Sequence, residues 1–537
     1  MALKAEAPVP VAWLLEVAEE QEGESLWKKI LRRCQARLEK DKNALWAGNA
    51  IKVINEKSET LAQIEKGLKR ALGLGVVALQ VPDDAVTESS KQDISSVEHL
   101  FQRLNRGGTV LDGPELVYTM IKAYMQGVES TLEEMEIKPM AYSSLALLGT
   151  RAAQAQNQSK KLPPTLSVTL LRALARDKSK EAEFNIIKHY FGLLEGTSDP
   201  DGPYLERVIR QVDDWLLWDR DTNQAGLPPV LRTNIAQNTP DVYLLLMILA
   251  RRALDDKQSN EQLVALCRPI LGLATALCWF GDDRPGAVEK LFIHFASRPL
   301  VPDSFSGVLG LVQNLDRGRR GVLQLQRPEM LRQTITMPDE RNLPAWSWWR
   351  SLIEKPANGD ELVQRRRQES IWPFIERLKG SRDLLIYAQR EWMAIRFRGF
   401  DPAKPEALED CNRPWDYDHI LPQNSFSNLK PAPKLMDVCR EWGRTIANLH
   451  ILRFEENRSA QAELASVKIS HDHLRLARMD NPHDLRGNFS LTREDLYSSN
   501  HGKVLKFVEG ARDRLICIYT DWFESLGISI LLGDPKE

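Results

Sequence analysis

Two stretches decide how the C-terminal part of this chain is read: WDYDHILPQN, residues 415–424, and TIANLHILRFEENRSAQ, residues 445–461. The first predicts a short strand ending at Asp418-His419, because Pro422 follows three residues later and proline cannot donate to a strand ladder. A loop of about 25 residues comes next, then a second strand through Asn448–Leu452, a turn, and a helix starting near Asn457. Adjacent strand residues point to opposite faces. Asp418 and His419 therefore take separate tasks only where the strand ends or twists.

These residue types suit the hydrolysis of a phosphodiester, which needs an activated water and compensation of charge on the leaving 3′ oxygen. A neutral histidine with a pKa near 6.5 takes a proton from water at physiological pH. One hard divalent ion, held by few oxygen ligands, binds the scissile phosphate and the leaving oxygen. His419 fits the base. Asp418 and Asn457 fit the ligands of a Mg2+-class ion, with Mn2+ as the alternative. Asn448 has a supporting role, either fixing the loop or holding the His419 ring.

Outward from this motif, apolar residues recur with helical spacing through most of the 537 residues. The fold class expected is mainly α with a small α+β part, a multi-helical protein carrying a C-terminal ββα motif. Basic residues number 72 and acidic ones 74, a balance that excludes a uniformly polybasic chain but not a local nucleic-acid site. The six cysteines include no CxxC pair, which fits a reducing cytoplasm and argues against a disulfide framework. The apolar stretch nearest to membrane length, Leu263–Phe280, is interrupted by Arg268 and Pro269, so no membrane partner is expected.

Residues 25–72 read as helices with Trp27, Leu31, Leu38 and Trp46 buried, and Leu74–Val81 as a strand. Residues 97–124 predict a helix to Asn105, a Gly107-Gly108 turn and a second helix from about Pro114. Loops are expected near 156–165, 196–203 and 222–240, and one long helix over 381–398. Between 301 and 400 there are 17 basic and 12 acidic residues. Arg365, Arg366 and Arg367 within that stretch are either a solvated helix face or a DNA contact.

With Pro422 in DHxxP, an Asn-Leu pair 29 residues after His419 and Asn457 nine residues further, the segment resembles an HNH endonuclease domain. It resembles most the nuclease part of GmrSD-type, modification-dependent restriction enzymes, whose lead-in is similar to LLIYAQR and RPWDYDHI here. Phe101, Leu104-Asn105, Gly107-Gly108, Leu111 and Glu115 resemble the later part of the GmrS-like domain. The resemblance implies three regions: 1–130 as that later part, 131–330 as a helical middle, and 331–537 as the GmrD-like nuclease domain.

It also implies an effector of an anti-phage restriction system that acts in the cytoplasm on DNA, modified phage DNA included, alone or as a homo-oligomer. The alternative is a non-catalytic helical DNA-binding or interaction subunit of a defence complex. The Asp-Gly-Gln-Gln-Arg nucleotide motif of that family does not occur in this sequence. A nucleotide site is therefore expected from a different chain start or a second polypeptide. His450 alternates with apolar residues and reads as structural or substrate-facing. His471, His473 and His483 read as solvated. Cys411 and Cys439 are too far apart in sequence to read as a metal pair, and Trp346, Trp348 and Trp349 read as core or domain-interface residues.

Overall fold

The computed structural model describes residues 25–40, 45–56, 58–72, 113–157, 160–194, 202–315, 318–335, 343, 361–403, 413–427, 429–430, 433–454, 456–457, 463–476 and 485–533. The chain divides into two compact units, residues 1–110 and 111–537. The first unit carries helices Leu26–Lys40, Leu45–Glu56 and Ser58–Leu72. Its core is the stripe Leu26, Ile30 and Cys34 against Ala47 and Ala50, a four-residue spacing that keeps one helix face inward. Trp27 and Leu38 only border this core, and Leu31 is half-buried. The buried face is thus rotated by one residue from that expected. The side chain of Trp46, the expected strand 74–81 and the turn at Asn105–Gly108 lie outside the described residues.

The second unit is mainly helical, with one two-stranded sheet. The helix expected from about Pro114 runs Gly113–Tyr124. One hydrophobic core extends from Val117 to Leu531, so the expected middle and C-terminal regions share their interior across residues 330/331. Helix Asn260–Phe280 lies in that core. Its start is fixed by Ser259 and Gln262, which cap each other's backbone N–H groups. This helix alone among the described residues is long and apolar enough to cross a membrane, and 61% of its apolar window is buried inside the protein. Thr275 on it accepts a hydrogen bond from Trp522 on helix His501–Ser525 at 2.9 Å.

Two expectations are corrected by packing. Residues 229–238 are helical rather than loop, because Pro229 at the first turn loses no helical hydrogen bond there. The long helix expected over 381–398 is broken at Gln389 into Arg382–Ala388 and Arg390–Arg396. The fully buried Gln389 uses its side-chain oxygen to accept the backbone N–H of Ile451 at 3.1 Å. Arg390 beyond the break pairs with Asp521 on helix His501–Ser525 at 2.6 Å. The buried Arg232 pairs with both Asp213 and Asp401, which fastens the segment preceding the sheet to the helical core.

The sheet consists of β1, Trp415–His419, and β2, Leu449–Arg453, paired antiparallel with Asp418 opposite His450 and His419 opposite Leu449. Both lie within a residue of where the sequence places them. Residues 454, 456 and 457 after β2 are helical; residues 458–462 lie outside the described residues.

Candidate active site

The end of β1 is set by Asn448. Its amide oxygen accepts Leu421 N–H at 2.7 Å, and its amide nitrogen donates to the carbonyls of Leu421 and Gly443, each at 3.0 Å. Ile420 N–H continues the ladder for one step to the Asn448 carbonyl at 2.8 Å. Pro422 then caps the short helix Gln423–Phe426. The loop returns through helix Met436–Gly443, and a Cβ built on Gly443 would lie 2.6 Å from the Phe426 ring. Only glycine admits this approach without movement of the ring or the backbone. Arg514, fully buried, donates to the carbonyls of Ile446 and Ala447 at 3.0 and 2.6 Å. Of the two supporting roles expected of Asn448, its hydrogen bonds serve the fixing of the loop.

Asp418 is buried on the face of β1 that meets His450. A carboxylate only accepts, so His450 donates Nε2–H to Asp418 Oδ2 at 2.7 Å. Its other ring nitrogen, 3.2 Å from His473 Nε2, then accepts from His473. The same Oδ2 receives the ammonium of Lys468, which also donates to the His419 carbonyl. Burial pulls the Asp418 carboxyl upward, but the His450 hydrogen bond and the His450 and Lys468 charges outweigh it and hold the group below its usual value. Burial lowers His450 despite Asp418. His473 is pushed down to about 3 by burial and by the neighbouring His450, Arg514 and Arg396, against a small pull from Asp418.

His473 is a correction to the solvated reading. It is 5% exposed and stacks with Trp392 at 4.2 Å between ring centroids; Trp392 in turn donates Nε1–H to the Ile451 carbonyl at 3.1 Å. His471 is exposed, as expected, and His483 lies outside the described residues. Cys439 is buried, and Cys411 is outside the described residues.

His419 is half-buried on the opposite face of β1, shared with Tyr417. Burial lowers its pKa, with smaller pushes from Lys468 and Arg382 and an opposing pull from Asp418. The imidazole is therefore neutral at physiological pH. Beside it the guanidinium groups of the exposed Arg382 and Arg413 lie 4.7 and 5.3 Å from the Tyr417 ring centre. Arg413 opens the lead-in RPWDYDHI, and Arg382 stands immediately after Ser381 in the stretch 381–398, which reads only as a long helix. Arg365, Arg366 and Arg367 lie in helix Glu361–Gly380, and their side chains are outside the described residues; the same holds for Trp346, Trp348 and Trp349.

Asn457 does not join Asp418. It donates its amide to Asp416 Oδ2 at 3.2 Å, and Asp416 and Asp418 are about 7 Å apart along the strand. Among the described residues no three His, Cys, Asp or Glu side chains gather as a metal-ligand set. As arranged, the expected pair does not fit a divalent ion, which needs oxygens about 2.1 Å from one point. Asp416 was legible by its alternation with Asp418; Lys468 and His473 were not, since nothing in AELASVKISHDH marks them as buried. No protein-family model, no curated protein and no solved structure matches the chain.

Proposed function

We propose that this chain is an HNH-type endonuclease that hydrolyses phosphodiester bonds of DNA, acting as the effector of a restriction system directed at phage DNA. The observation that carries the reading is His419 itself. A neutral imidazole stands at a clamped strand end, on the face where two exposed arginines flank Tyr417. Arginine pairs recognise phosphate oxygens, and a neutral imidazole beside them takes the proton of an attacking water. Asn448, Arg514 and the Asp418–Lys468 pair touch no substrate; they fix the direction in which His419 points. Asp418 and Asn457 as arranged do not gather around a divalent ion, and no step assigned to His419 runs through one.

A second reading has one observation in its favour. Asp418 is sealed between Lys468 and His450, as in a subunit that binds DNA without turnover. Plasmid cleavage by the purified chain over a panel of divalent ions separates the two. The endonuclease reading expects nicking or cutting, reduced roughly 10²–10⁴-fold by His419→Ala, with DNA affinity and helical content retained. Undiminished cleavage by that variant, in a preparation free of other nucleases, overturns it. Binding without cleavage by the wild-type chain supports the second reading.

A further inference from the structure

Lys468 closes the short helix Ala465–Lys468, and its side chain is 1% exposed, against 8% for Asp418. A lysine ammonium is rarely so buried without a partner. Here two acceptors converge on it: Asp418 Oδ2, and the His419 carbonyl, which β1 turns away from β2. In an antiparallel pair alternate residues direct their N–H and C=O groups outward, so this carbonyl is available at the strand end. A carboxylate oxygen and a peptide oxygen on one positive charge are a donor set that hard cations also use. Asn457, the other expected ligand, is engaged two residues away along β1 at Asp416.

We infer that Lys468 is the resident cation of this site: its ammonium takes the position at Asp418 that a divalent ion would otherwise hold, and an ion reaches Asp418 only by displacing it. The inference rests on reading this strand end as the hydrolytic centre, and it makes Lys468 a positioning residue. Replacing the ammonium by a neutral group leaves a buried carboxylate without its counter-charge. The vacated place then favours a metal ion.

The test is Mn2+ titration of the full chain, followed by the electron paramagnetic resonance signal of free Mn2+, so cleavage is not read. Lys468→Met should bind Mn2+ at least tenfold more tightly than the wild type. Lys468→Arg should stay near the wild type, and Asp418→Asn in the Lys468→Met background should abolish the gain. Equal or weaker binding by Lys468→Met, including no binding by either chain, overturns the inference, as does a gain that survives Asp418→Asn. Lys468→Gln carries the same expectation if Lys468→Met loses its helical circular dichroism. A wild-type chain that cuts nothing while Lys468→Met gains Mn2+ defeats the hydrolytic reading alone.

Discussion

His450 and His473 stand behind the strand end as two neutral rings, one donating to the next and the last stacked on Trp392. Because their folded pKa values lie below the ordinary 6.5, the unfolded chain takes up protons first as the pH falls. Their contribution is complete above about pH 6.5 and is lost on acidification, by up to about 1.4 kcal/mol per pH unit for each ring. Thermal unfolding of the wild type should show a midpoint that falls from pH 6.5 towards pH 4. His473→Leu should flatten that dependence, and an unchanged slope would remove His473 from this account. Asp418 and His419 were legible because strand alternation and Pro422 are local signals. His473 was not, since the ring that buries it belongs to a distant helix, while the stretch Ser470-His471-Asp472 before it is polar.

The strand–loop–strand element depends on one side chain. Asn448→Ala removes three hydrogen bonds and leaves the Leu421 N–H and two carbonyls buried without partners, at about 1–3 kcal/mol each before relaxation. Urea unfolding should place the variant about 3 kcal/mol or more below the wild type. Asn448→Asp should also be destabilised, because it keeps the acceptor for Leu421 N–H and loses both donated bonds. A loss under 1 kcal/mol for both would mean the loop is held elsewhere. The strands themselves were readable from short apolar alternation. The break at Gln389 was not, because the demand for it comes from Ile451 N–H, and the helical period of residues 381–398 gives no sign of an outside acceptor.

Within residues 111–537, helix His501–Ser525 serves both the helical core and the site: Trp522 packs against Trp279 and Phe280, while Arg514 props the turn into β2. This interior should therefore unfold as one. Trp522→Ala should cost about 3–5 kcal/mol, and hydrogen exchange at β2 should accelerate in parallel with the loss of helical signal. Protection at β2 that survives the loss of the helical core would show the two to be independent. The mainly helical class was legible from periodicity, whereas this shared interior was not, since apolar spacing shows which face is buried and not what it is buried against. The edge of the sheet has a further consequence. At Ile451, the outward N–H and C=O of β2 are both occupied, by Gln389 and Trp392. A third strand, from a second copy or a partner peptide, finds no vacant register there, so assembly by edge-to-edge pairing is closed at the middle of β2.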